Sequence, residues 1–420
     1  MDSGIQRLSP EDLTVLATDA GQVPMHMAAV LEFGPVMDVA ALVATLGERL
    51  SSVPRLRQRL LRPGWGGGRP FWVDDETFDL ARHVQQSSSP AGDLVCRRLC
   101  AEHPLWRMYY SDSGADVRVV IVLHHVLADG MGGLAALAGL VDGVPVPQPR
   151  APRPVPTRRQ VRRDAVAQRR AVRSNAGASL RRLVAGMREM GLGSSRPTLV
   201  ARTSILRPTS ARRQVRTVEA RLAEVVDAGH RQGATVNDLV LAAVAGSLEG
   251  LLDRRGEHPA QLVISVPVSG RTRAGELGNQ VGAVPVAIPT GCSRQERLRH
   301  IVASTARAKG QQRGSSAQVL GVVFRGLAAV GVGQYFVDHQ RLVHSFETNL
   351  RGPDQPLWMG GQRLRRIVPI AVNPGNVGVS FDVLSYAGTL VISIVACPRI
   401  VPEIEVVAGL LAAELAALLA

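Results

Sequence analysis

A chain of 420 residues exceeds what one compact core usually serves, so two domains are expected, and 45% hydrophobic with 20% charged residues is a globular composition. No run reaches the roughly 18 unbroken apolar residues a spanning helix needs, and Met1-Asp2-Ser3-Gly4-Ile5-Gln6-Arg7 lacks the order of a secretory signal, so a soluble or surface-bound cytoplasmic protein is expected. The net charge of +14 and pI near 11.0 come almost wholly from arginine, Lys309 being the only lysine, and favour phosphate-bearing ligands and anionic membrane surfaces.

In chain order, Ser9-Pro10-Glu11-Asp12 sets a capping hydroxyl, a first-turn proline and acidic residues where a short helix starts. A strand from Met27 to Phe33 and a helix beginning near Asp38 follow. Val53 to Arg62 reads as basic and extended, Phe71 to Val73 as a strand, and Gly92 to His103 as a helix stopped by Pro104. Cys96, Cys100 and His103 share helical spacing there. With no fourth ligand near, they read as one amphipathic helix rather than a metal site, and four scattered cysteines make no disulfide framework.

Val117 to Leu123 is nearly all apolar and β-branched, the signature of a strand covered on both faces. His124-His125-Val126-Leu127-Ala128-Asp129-Gly130 follows directly, and Gly130, Gly132 and Gly133 allow a tight turn before a helix over Leu134 to Leu140. Histidine titrates nearest neutral pH, which suits it to accept a proton from a hydroxyl or amine. Consecutive residues at a strand end point in opposite directions, so His124 and His125 cannot both face one cavity and at most one is catalytic. Asp129 reads either as an orienting partner of the imidazole or as half of a structural ion pair that holds the turn.

Val144 to Thr157 is a proline-rich extended linker, and Arg158 to Arg173 is dense in arginine. The second stretch is expected to be helical from Thr157 to about Met190, with too few spaced apolar residues for a core helix. These features set residues 145–210 apart as a linker and crossover helix between domains at 1–144 and 211–420. The second half opens with a strand near Val215 to Ala220 and a helix through His230, and Thr235 then caps a helix over Val236 to Leu252. Asn237 and Asp238 lie in its first turn, where an amide and a carboxylate suit the free backbone amides and the dipole, a structural role. Strands are expected at Gln261 to Pro267, Val281 to Ile288 and Val343 to Thr348, with helices at Ser293 to Gln311 and Ala317 to Phe336. Arg366 to Val372, Val377 to Tyr386 and Leu390 to Cys397 form a last strand group before a closing helix. The class is α/β, without the regular alternation of a barrel.

There is no Gly-x-Ser-x-Gly elbow between strand and helix, no phosphate-cradling GxxxxGK[ST] and no HExxH, which leaves a histidine acting as base on an external nucleophile. Taken alone, the arginine run fits a nucleic-acid-binding protein. Aromatics at 4%, the lack of stacking residues within the run and the absence of a binding motif argue against that partner.

His124 to Gly130 reproduces an HHxxxDG motif. Pro24-Met25-His26, Pro70-Phe71-Trp72-Val73-Asp74, Pro104-Leu105-Trp106, Thr235-Val236-Asn237-Asp238, Gly278-Asn279, Asn349 with Gly352-Pro353, and Leu384-Ser385-Tyr386 follow in order. Together they resemble the wax ester synthase/diacylglycerol acyltransferase family of the CoA-dependent acyltransferase superfamily, from about Leu8 to the C-terminus with a break at the arginine-rich middle. HHxxxDG alone is moderately specific; joined to PLW and ND in order it is strong. The resemblance implies two similar chloramphenicol-acetyltransferase-like α/β domains with a tunnel and active site between them. It makes His125 the central base within His124, Asp129 and Gly130, pairs Asp129 with Arg271 of the second domain, and gives Asn237 and Asp238 the site's floor. Asn279, Thr348 and Asn349 are its candidates for oxyanion or substrate contacts, and Arg351 stands where the family usually has a small residue or proline. The implied reaction moves a long-chain acyl group from acyl-CoA, a substrate rather than a cofactor, to the hydroxyl of diacylglycerol or a fatty alcohol, with no metal. A carrier-protein-bound donor with another acceptor is the alternative within the same fold. An anionic inner-membrane or lipid-droplet surface is the expected further partner, met by Arg158 to Arg182.

Overall fold

The computed structural model describes residues 4–34, 38–112, 117–148, 150–174, 177, 199–269, 281–311, 326–327, 330–371 and 375–420. Its strands in chain order are β1 His26–Glu32, β2 Gln58–Leu61, β3 Phe71–Asp74, β4 Val84–Gln86, β5 Trp106–Asp112, β6 Val117–His124, β7 Gln214–Arg221, β8 Gln261–Ser269, β9 Val281–Pro289, β10 Ser345–Arg351, β11 Trp358–Met359, β12 Gln362–Arg363, β13 Arg366–Ala371, β14 Val379–Tyr386 and β15 Thr389–Ala396. The helices are α1 Pro10–Thr18, α2 Val39–Arg49, α3 Ala91–Val95, α4 Gly130–Leu140, α5 Arg158–Ser174, α6 Leu222–Gln232, α7 Val236–Arg254, α8 Arg294–Gln311, α9 Gly333–Asp338 and α10 Ile404–Leu419.

Two sheets organise these elements. The first has the order β13-β1-β6-β5-β4, and the second the order β7-β15-β14-β10-β8-β9. In the second sheet β10 runs parallel to both β14 and β8, while its other neighbours are antiparallel. Strand β6 is buried along its length except at Arg118, as its unbroken apolar run requires. The second sheet packs on α7 and α10. Helix α7 is apolar all round and buries Leu239 through Leu248 beside Phe381, Ile392 and Leu411, so it is the centre of that core. Capping boxes at Ser9 with Asp12 and at Thr235 with Asp238 start α1 and α7, as the sequence suggests.

Strand β13 lies late in the chain yet completes the first sheet, pairing with β1 from Met27↔Ala371 to Glu32↔Arg366. A cut at the arginine-rich linker therefore leaves the first sheet without its edge strand. Two expected elements differ. The helix expected over Gly92 to His103 ends at Val95, because Arg97 reaches Ser89 and Arg98 reaches Asp19 and the carbonyl of Gly21, contacts that a continued helix would break. Val53 to Arg62 is extended only in its second half: Pro54 opens a 3-10 turn through Arg57, and β2 follows. The arginine-rich helix is described as far as Ser174, and the rest of its expected length, like most of Ala317 to Phe336, lies outside the described residues. No single described helix is long and apolar enough to cross a membrane; α6 and α7 together are, but they meet at 94° and α7 is a core helix.

Candidate active site

The register of β1 and β6 sets His26 opposite His124, with the rings 5.5 Å apart and edge to face. Both nitrogens of His124 are engaged. Its Nδ1 accepts the Val126 N–H at 3.0 Å, so the proton sits on Nε2, which donates to Asp19 Oδ2 at 3.1 Å. Burial opposes charge on Asp19, but the bonds from His124 and from the Met25 N–H at 2.9 Å outweigh it and hold the carboxyl below its usual range. His26 donates Nδ1–H to the Val95 carbonyl at 2.9 Å; burial, and then the proximity of His124, push it down to about 4, so it is neutral. His124 is thus a structural tie between β6 and the chain after α1. His125 is half-buried at the strand exit, and its backbone N–H is held by the Met25 carbonyl at 2.7 Å.

Asp129 is buried and caps α4, accepting the Gly132 N–H at 2.9 Å on its side chain and the Gly133 N–H at 2.8 Å on its carbonyl. The cap turns the chain sharply after the histidines. Gly130 then touches the second sheet, since a Cβ there would fall 2.9 Å from Leu350 Cδ1 of β10. The motif therefore lies at the seam between the two sheets. Arg271 and Asn279, the expected ion-pair partner and oxyanion candidate, lie outside the described residues.

Thr348 shares the face of β10 that carries Leu350, whereas Asn349 lies on the opposite face. The Thr348 hydroxyl donates to Asp382 Oδ1 at 2.9 Å, and Asp382 Oδ2 accepts the Ala371 N–H of β13 at 2.7 Å. Thr348, expected as an oxyanion or substrate contact, is therefore bonded to Asp382 on the face of β10 that meets the motif. Arg351 points to solvent and pairs with Asp354 at 2.9 Å, so it does not crowd the loop. Beyond it Gly352 is required by close approach, a Cβ there falling 2.4 Å from the Ser385 carbonyl oxygen.

Asp238 is buried and accepts three side-chain or backbone donors: the Thr235 N–H at 2.9 Å, the Thr235 hydroxyl at 2.7 Å and the Thr305 hydroxyl at 2.8 Å. It ties α7 to α8, and Asn237 is half-buried beside it. Sequence reasoning missed Glu347. It pairs in register with Phe381, so it faces the α7 layer, is fully buried and has no hydrogen-bond partner among the described residues. Burial, followed by Asp382 and Asp238, pushes it up to about 8, and burial pushes Asp382 up to about 7 despite its two bonds. No periodicity separates such a residue from an outward-facing strand carboxylate; only the packed helix layer does.

Trp106 is structural. Its indole N–H donates to the Leu56 carbonyl at 2.7 Å, and its ring stacks on His83 at 4.5 Å. Cys96 is buried and its thiol is pushed up to about 11 by burial, and no described cluster of three or more His, Cys, Asp or Glu can hold a metal.

Two sheets joined by an exchanged strand, with HHxxxDG turned against β10 at their seam, form a two-domain α/β fold, and the family match and curated relatives make it an acyltransferase. The wax ester synthase/diacylglycerol acyltransferase catalytic domain matches residues 8–240, and the WS/DGAT C-terminal domain matches residues 277–419, so the chain belongs to this family. A Mycobacterium tuberculosis protein named probable diacyglycerol O-acyltransferase tgs1 is 31% identical over 398 residues, covering 88% of this chain and 85% of the relative. The wax ester synthase/diacylglycerol acyltransferase from Marinobacter aquaeolei VT8 shares the fold with a TM-score of 0.69 and 20% identity, over 98% of each chain. The first condensation domain of the CDA synthetase shares it with a TM-score of 0.62 and 18% identity, over 98% of this chain and 97% of that one.

Proposed function

We propose that this acyltransferase moves a long-chain acyl group from acyl-CoA to the hydroxyl of diacylglycerol or a fatty alcohol, with His125 as general base and with no cofactor or metal. The observation that carries the reading is the place of the motif: His125 stands half-buried at the exit of β6, and Gly130, five residues on, sets the following turn against β10 at the seam. His125 takes the proton of the acceptor hydroxyl as that oxygen attacks the thioester carbonyl. When the tetrahedral intermediate collapses, the acyl–sulfur bond breaks and the imidazolium returns the proton to the CoA sulfur. Asn279, Thr348 and Asn349 are the oxyanion or substrate candidates, Asp129 with Arg271 the cross-domain pair, and Asn237 with Asp238 the floor. Donor and acceptor approach from opposite sides of the seam. Such an acceptor lies in membranes or droplets, and the protein works at their cytoplasmic face, drawn there by its arginine-rich segment.

The test is thiol release from acyl-CoA with diacylglycerol, hexadecanol or no acceptor. Release stimulated by either alcohol is expected. Release that is indifferent to both would overturn the lipid acceptor, and none with any acyl-CoA would overturn the donor.

A further inference from the structure

The loop between β2 and β3 carries Pro63-Gly64-Trp65-Gly66-Gly67-Gly68-Arg69 at its tip. The Gly67 N–H bonds the Gly64 carbonyl at 2.9 Å and Gly66 has φ 81°, so Trp65 and Gly66 are the corner residues of a type II turn. The indole is 97% exposed. One side chain clasps this turn to α5. Arg7, itself buried, donates from Nη1 to the carbonyls of Gly67 and Arg69, from Nη2 to the Val161 carbonyl at 2.9 Å, and from Nε to Asp164. Gly68 closes against Ala165, where an added Cβ would meet that side chain at 3.0 Å. Arg169 Nη2 reaches the Gly66 carbonyl at 3.4 Å.

Helix α5 docks through Val161 and Ala165, which are buried. The remaining arc exposes Arg158, Arg159, Arg162, Arg163 and Arg170, with Val166 among them. We propose that the Trp65 turn and this face of α5 form one rigid docking surface for an anionic phospholipid membrane, the indole entering the headgroup boundary while the arginines pair with lipid phosphates. The proposal rests on the membrane reading above and names its anchor. A lone indole with a polar N–H and no apolar pocket around it suits a water–hydrocarbon boundary better than a protein interface, which needs a contiguous packed core. Arginines spread over nearly half the helix circumference match a laterally mobile field of phosphates. Because the clasp holds α5 and the turn together before binding, little ordering entropy opposes attachment.

The experiment is co-sedimentation of the full chain with phosphatidylcholine vesicles, with and without phosphatidylglycerol, at low and high salt. Quenching of tryptophan fluorescence by acyl-brominated lipid reports insertion. Wild type is expected to bind only the anionic vesicles, and less at high salt. W65A is expected to bind about tenfold more weakly, the effect of partly burying one aromatic side chain, and to lose the quenching, with unchanged melting and unchanged turnover of a water-soluble short-chain alcohol. The variant with Arg158, Arg159, Arg162, Arg163, Arg169 and Arg170 changed to Gln is expected to bind more than about 100-fold more weakly. If W65A binds and is quenched like wild type while the arginine variant detaches, the Trp65 anchor is overturned and the membrane reading stands. Binding by the arginine variant equal to wild type, or binding indifferent to lipid charge, overturns both.

Discussion

His124 and His125 are identical side chains one residue apart, and their position at a strand end turns them to opposite sides. His124 is bonded to the Val126 N–H and to Asp19, so it is part of the wall. A positioned base is worth about 10² to 10⁴ in rate, so H125A is expected to lose that much kcat/KM with an unchanged Tm. H124A is expected chiefly to lower the Tm, by removing the partner of a partly buried carboxylate. The opposite pattern, measured by thiol release and thermal unfolding, would reverse the assignment. Glu347 offers a pH test at the same scale. Its folded pKa of about 8 lies above the ordinary carboxyl value of 4.5, so the fold retains a proton that the unfolded chain releases. The stability this contributes is complete below the unfolded value and is lost as pH rises through about 8. Wild type is therefore expected to melt at falling temperatures from pH 6 to 9, and E347Q, which cannot ionise, to show a shallower decline. Parallel curves would show that Glu347 is not the group responsible.

Among the elements, those that formed as expected carry local instructions strong enough to survive packing. The capping residues Ser9 and Thr235 and the unbroken apolar run of β6 are of this kind. The helix expected over Gly92 to His103 carried no such instruction. Its apolar residues Leu94, Val95 and Cys96 enter the core under β1 and β6, a helix of that length is marginal alone, and Arg97 and Arg98 are drawn to Ser89 and Asp19. The contact between α4 and β10 gives the prediction at this scale. G130A sets a methyl group 2.9 Å from Leu350 Cδ1 and is expected to cost about 1 to 3 kcal/mol by overpacking. In a double-mutant cycle the penalty should shrink when Leu350 is also changed to Ala. Additive losses in thermal unfolding would mean that the strain lies elsewhere.

Across the whole molecule, the two sheets are joined by the path of the chain as well as by contact. β13 belongs to the second half of the chain and pairs with β1 of the first, while its Ala371 N–H bonds Asp382 of the second sheet. Asp382 thus links β10, β13 and β14 behind the motif. By itself the sequence determined the motif strand, the turn after it, the caps, most strand positions and the family, because these depend on neighbours within a few residues or on side chains whose order is distinctive. It also bounded the choice between the two histidines, since alternation along a strand lets only one face a given cavity. The bond of His124 to Asp19, 105 residues away, and that of Thr348 to Asp382 are set by the tertiary structure. The crossing of β13, the burial of Glu347 and the clasp of Arg7 on α5 are likewise decided only in three dimensions. Each joins residues far apart in the chain, and no local pattern records the register or packing that brings them together.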